Sequence, residues 1–180
     1  LFNTDIKKYK DYSGKSTLVL LITQQGLWAL FAYRTANAIY KSNLPKLIKK
    51  VLLVFSVIHL KWIEILTGIS IPYAASIGHS FYIGHFGQII INSKAIIGNN
   101  CNISQGVTIG VSGRGERRGV PIIGNNVYIG ANTTVVGKIQ VGDNAVLGAN
   151  SLVHRDVENG TTVLGVPAVQ VSANSSNEYI

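Results

Sequence analysis

The chain has 180 residues, with 16 Lys and Arg against 8 Asp and Glu, a formal charge of +8. Only 13% of residues are charged and 47% are apolar, which excludes a disordered, acidic or collagen-like chain and fits one domain, at most two. A single cysteine excludes an intramolecular disulfide framework and a multi-thiolate zinc site, and points to a reducing compartment, the cytoplasm. Methionine is absent, position 1 included, so Leu1 is read as lying downstream of the translation start.

The basic residues crowd the front. Residues 1–66 hold ten basic and three acidic residues, a net of +7, and the other 114 residues hold six and five, a net of +1. Such a front fits a solvated helical face or an anionic neighbour, a membrane surface or an acidic polymer; nucleic acid is not the expected partner. Ser16–Tyr33 is free of charge for 18 residues, but Gln24, Gln25 and Gly26 interrupt it where a membrane span is most apolar. It also lacks a signal-peptide cleavage pattern. Val51–Leu60 is too short to span. Both stretches read as helices packed on protein or lying at a membrane surface. Lys41–Asn43 and Pro45 separate them, and Gly68 ends the second.

From Ile71 an aliphatic residue recurs every sixth position: Ile71, Ile77, Ile83, Ile89. The phase slips by two, then runs Ile97, Ile103, Ile109, breaks, and resumes at Ile123, Ile129, Val135, Val141, Leu147 and Val153. The next residue is glycine at eight of these 13 places. A period of six is neither helix nor plain strand. It fits a short strand and a tight turn on one side of a triangular coil, three hexads per coil, with the aliphatic column inside. The glycines suit backbone turns that a Cβ would hinder. Cys101 takes an inward position and reads as a small buried hydrophobe.

Four histidines are present. His59 lies in the apolar helix and reads as packed; His154, in the last hexad, reads as surface. His79 and His85 each follow a register aliphatic by two, which puts both at turns. Imidazole can take a hydroxyl proton near neutral pH. Counting three hexads onward with the slip, Gln105 falls above His85 and Ala131 one coil further. The run Val111–Val120 (VSGRGERRGV) interrupts the period and carries Arg114, Arg117 and Arg118, which suit phosphates or an anionic acceptor.

The repeat resembles the hexapeptide-repeat acyltransferases over Ile69–Val171. The segments ALFAYRTANAIYK, ILTGISIPYAASIG, IGHFGQIII, ISQGVTIG and VLGVPAVQV resemble the short form of the serine O-acetyltransferase family, which includes acetyltransferases of polysaccharide gene clusters. The resemblance implies a mainly β fold, a left-handed parallel β-helix preceded by a small α-helical region. The expected divisions are 1–68 helical, 69–171 coil and 172–180 a C-terminal tail. It implies acetyl-CoA as co-substrate, no metal, and a homotrimer that could pair further. His85 matches the catalytic histidine of the family. CoA is expected along Gly110, Val111, Gly130, Ala131, Ala149 and Val166–Pro167–Ala168. His79, Gln105, Arg114, Arg117 and Arg118 are the expected acceptor contacts.

The chain departs from serine acetyltransferases at three places. A carboxylate precedes their catalytic histidine, where this chain has Gly84. A second carboxylate aligns with Ser70, and a basic pair aligns with Gly119 and Val120. Ile65–Gly115 contains no Asp or Glu. An ammonium group entering a dry pocket needs an anionic partner, so the expected acceptor is a saccharide hydroxyl, with L-serine as the alternative. Glu64 or Glu116 remains able to substitute. A metal-dependent hydratase would need a third histidine beside His79 and His85, and a non-catalytic scaffold would leave His85 without use.

Overall fold

The computed structural model describes residues 1–180. Four helices come first: α1 (Phe2–Ser13), α2 (Thr17–Thr23), α3 (Gln25–Lys41) and α4 (Lys46–Thr67). The single helix expected over Ser16–Tyr33 is two, broken at Gln24, whose backbone turns extended. The break re-aims α3 so that Gly26 packs against the Tyr9 hydroxyl and Ile83, a contact that any Cβ would obstruct. Helix α1, which was not singled out within the helical stretch 1–68, sets Phe2, Ile6 and Tyr9 at spacings of four and three against the core. Its anchors are the buried polar residues Asp5, Lys8 and Tyr9. The expectation of packing holds for α3, which buries Leu27, Leu30 and Tyr33, but not for α4, which fully buries only Thr67. His59 is exposed, not packed.

The hexads form three sheets that the chain visits in turn. Sheet A holds β1 (Ile69–Ser70), β4 (Ile89–Ile91), β7 (Thr108–Gly110), β10 (Thr134–Val136) and β13 (Leu152–Val153). Sheet B holds β2 (Ser76–Ile77), β5 (Ile96–Ile97), β8 (Ile122–Ile123) and β11 (Gln140–Val141). Sheet C holds β3 (Tyr82–Ile83), β6 (Asn102–Ile103), β9 (Tyr128–Ile129), β12 (Val146–Leu147), β14 (Thr162–Gly165) and an antiparallel closing strand, β15 (Ala168–Ser172). All other ladders are parallel, so the coil is a parallel β-helix around a buried Ile/Val/Leu column. "Mainly β" is corrected to a mixed chain: a hexad spends most of its residues in turns, and the helices hold more residues than the strands.

Glycine acts here through coil-to-coil approach. A Cβ on Gly98 would meet the backbone of Gly124 and Asn125 in the next coil. The left-handed turn position falls two residues on, at Asn100, Asn126 and Asn144 (φ 58°, 54° and 59°), a conformation asparagine tolerates. Their amides form a ladder, Asn100 Nδ2 donating to Asn126 Oδ1 at 2.8 Å and Asn126 Nδ2 to Asn144 Oδ1 at 3.0 Å.

The first coil has no coil beneath it, and its backbone groups need other partners. The helices supply them. The Tyr9 hydroxyl donates to Ile83 O (2.9 Å) and accepts from Ile83 N (3.0 Å). The Tyr33 hydroxyl donates to Ala75 O (2.8 Å) and accepts from Ile77 N (3.1 Å). Arg34 donates to Ile77 O (2.7 Å) and Gly78 O (2.6 Å) while it pairs with Asp5 at 2.9 Å. Asp5 in turn accepts from Phe81 N at 2.8 Å.

Candidate functional site

The coil has three edges, and the predicted site residues divide among them. The edge between sheets C and A carries His85, Gln105, Gly130, Ala131, Ala149 and Val166–Pro167, with Ala168 opening β15 beyond. Backbone bonds stack its turns: Gly106 N donates to Gly87 O (3.0 Å), Asn132 N to Gln105 O (2.9 Å) and Asn150 N to Ala131 O (2.8 Å). His79 lies on the edge between B and C, its ring 3.2 Å from Ser80 Oγ. Gly110, Val111 and the loop with Arg114, Arg117 and Arg118 lie on the edge between A and B. The loop closes on itself through a Ser112–Gly119 bridge around a short 3-10 turn, Gly115–Arg117. All three arginines are exposed, and no carboxylate pairs with them. One chain therefore does not bring His79, His85 and the arginines together. No three His, Cys, Asp or Glu side chains cluster as a metal site would require.

The phase slip is located differently from the reading of the period. Ile69 pairs with Ile89, a spacing of twenty, whereas Ile91 pairs with Ile109, a spacing of eighteen. The two additional residues thus precede β4 and lengthen the turn Gly84–Gln88. His85 and Phe86 stand exposed on it, and Gln88 takes φ 52°. The end of α4 supports this turn from below. Gly68, in the left-handed conformation (φ 65°), accepts Ile89 N at 3.0 Å, and a Cβ there would lie 3.0 Å from Gln88 N and 3.1 Å from the Gly87 Cα.

Beside the turn a groove of about 570 Å³ is lined by Lys61 and Glu64 of α4, Ser70 and Thr108 of sheet A, and Gln88. Lys61 Nζ and Glu64 Oε2 are 2.7 Å apart. Sequence reading named Glu64 only as a substitute and missed Lys61, Gln88 and Thr108. The available signal was that Ser70 and Thr108 each precede a buried aliphatic, which turns them outward on the sheet. On the same edge as His85, Gln105 Oε1 is buried without a donor. Cys101 is fully buried and burial pushes its thiol up to about 11, so it is inert near neutral pH.

A family model described as bacterial transferase hexapeptide (six repeats) matches residues 121–155. The chain is 37% identical over 158 residues to a serine acetyltransferase of Synechococcus elongatus, covering 88% of this chain and 62% of that protein. It therefore spans less than two thirds of that relative's length. It is 34% identical over 168 residues to the serine acetyltransferase of Bacillus subtilis, covering 92% of this chain and 72% of that one. The crystal structure of a Brucella abortus serine acetyltransferase in complex with coenzyme A superposes with a TM-score of 0.82 at 26% identity, over 97% of this chain and 67% of that chain. These relatives are serine acetyltransferases, which overturns the expectation of a saccharide acceptor. The electrostatic objection rested on positions 70 and 84 and kept Glu64 and Glu116 as substitutes; of these the groove is lined by Glu64 on α4. From the hexad coil, the helices that close its first turn and these relatives together, the chain belongs to the serine acetyltransferase family of hexapeptide-repeat transferases.

Proposed function

We propose that this chain transfers the acetyl group of acetyl-CoA to the hydroxyl of L-serine. The observation that carries the reading is the lengthened His85 turn beside a groove holding a Lys–Glu pair. Serine is a zwitterion. Glu64 offers a carboxylate to its ammonium and Lys61 an ammonium to its carboxylate, so opening the pair around the substrate exchanges one ion pair for two. With serine so held, the His85 imidazole takes the hydroxyl proton as the oxygen attacks the thioester carbonyl. The tetrahedral intermediate collapses, the carbon–sulfur bond breaks, and the imidazolium returns the proton to the leaving CoA thiolate.

The reading extends to assembly. Gly130, Ala131, Ala149 and Val166–Ala168 lie on the edge of His85, while Gly110, Val111 and the arginine loop lie on another. They can face one acetyl-CoA only if the edge of one copy meets the loop of the next. A homotrimer of left-handed coils with three equivalent sites satisfies this by closed symmetry, and trimers could pair again. Acetyl-CoA use fits a cytoplasmic setting.

The test follows CoA thiol release and product mass with acetyl-CoA and L-serine. The folded chain is expected to form O-acetylserine, and His85→Ala to lose about 100-fold or more in kcat, within the range of positioned acid–base groups. A His85→Ala protein that folds and turns over at near-native rate removes the assignment. Failure of the native chain to acetylate serine removes the reading itself.

A further inference from the structure

Helix α4 presents an apolar face that nothing in the chain covers. Leu47, Val51, Phe55, Ile58, Trp62 and Ile65 recur at spacings of three and four, which puts them on one side, and all are exposed, Leu47 and Ile65 by about three quarters (75% and 74%). The opposite side, with Leu53, Leu60 and Ile63 partly buried and Thr67 buried, runs against α3 and the coil. A surface helix of a water-soluble domain has the reverse arrangement, polar outward and apolar inward.

The charge around this face identifies the occupant. Lys41, Lys46, Lys49 and Lys50 gather at the N-terminal end of α4, and residues 12–63 contain no Asp or Glu. Three of them, Lys41, Lys46 and Lys50, are exposed. No helix is long and apolar enough to cross a membrane. An apolar stripe with lysines at its margin, and with its one carboxylate, Glu64, paired with Lys61 at the far end, matches a helix lying in the headgroup layer of an anionic bilayer, apolar side chains down and ammonium groups on lipid phosphates. A second copy fits less well, because it would press two fronts of +7 together. We infer that α4 docks this chain onto an anionic lipid surface. The docked helix ends at Gly68, against the His85 turn, so the groove opens close to the bilayer.

The experiment floats the full chain with vesicles of phosphatidylcholine alone and of equimolar phosphatidylcholine and phosphatidylglycerol. Flotation is expected with the mixed vesicles only, with a blue shift of indole emission that Trp62→Phe abolishes. Leu47→Glu combined with Phe55→Glu should weaken binding by about tenfold or more, and Lys46→Glu combined with Lys50→Glu by a similar factor. Helical circular dichroism and serine acetylation serve as the checks that these variants fold. Three results overturn the inference: no flotation with mixed vesicles, equal flotation with phosphatidylcholine alone, or a smaller sedimenting species for the Leu47→Glu, Phe55→Glu chain. The last would make the face a contact between copies.

Discussion

The joint between helices and coil rests on Arg34, and replacing it with alanine tests how the first coil is closed. The guanidinium lies 6% exposed and the Asp5 carboxylate 0%, with Nε–Oδ2 at 2.9 Å and Nη2–Oδ1 at 3.1 Å. Arg34→Ala leaves that carboxylate buried without its cation, a change worth about 3–5 kcal/mol. It also removes the donors to Ile77 O and Gly78 O, which no neighbouring strand can replace. For a chain of this size, at roughly 2–4 °C per kcal/mol, the melting temperature should fall by about 6–20 °C. Urea unfolding followed by circular dichroism, at one protein concentration, measures the loss. Asp5→Leu with Arg34→Met should lose much less than the two single changes added, because neither charge is then stranded. It should still fall short of the native chain, since Phe81 N, Ile77 O and Gly78 O stay unpaired. A loss under about 1 kcal/mol for Arg34→Ala, or full additivity, would refute the view that this pair holds the helices on the coil.

Three further outcomes are expected. Burial lowers Lys8 to about 8, so from pH 8 towards 10.5 the unfolded chain binds the extra proton and stability rises; Cys101, raised to about 11, offsets that rise from pH 9 upward, and Tyr9, raised by burial from 10.0, turns the slope down at higher pH. Stability should thus rise from pH 8 to 9 and then level off in denaturant titrations, and Cys101→Ala should extend the rise towards pH 10; an unchanged profile contradicts the linkage. Gly68→Ala, strained at positive φ and crowded against Gly87 and Gln88, should cost about 1–3 kcal/mol and lower kcat through the displaced His85 turn; equal stability and rate would show that the turn does not lean on Gly68. Gly84→Asp has room, its nearest neighbour being Tyr82 at 3.5 Å, and should lower the serine KM several-fold, the opposite of Glu64→Gln; an unchanged KM in both variants places the ammonium elsewhere.

The coil was legible because its signal is periodic: one buried aliphatic per hexad survives any choice of outward residue. The same signal misplaced the slip, since Ile89 and Ile91 are both buried and either keeps an aliphatic near the register. Only strand pairing decides between them. Helix α1 was not singled out because its anchoring runs through Asp5, Lys8 and Tyr9, whose backbone partners lie 74 to 92 residues away. The turn position of His85 was legible in the period, while the groove beside it depends on where α4 ends. The acceptor was misread for that reason: the missing carboxylates at positions 70 and 84 were given more weight than Glu64, whose place in the groove depends on how α4 packs.

The stacked turns of the C–A edge also act as a ruler. Successive coils are about 4.8 Å apart, so the four steps from the His85 turn through Gln105, Ala131 and Ala149 to Val166 measure roughly 19 Å. Insertions at the edges leave this gauge untouched. The lengthened His85 turn and the arginine loop add residues between strands, yet Ile96 still pairs with Ile122 and Ile97 with Ile123 across the loop. A donor lying along this edge is therefore graduated in whole coils: removing one eighteen-residue repeat would shorten its track by a single strand spacing, and nothing smaller is available to the fold.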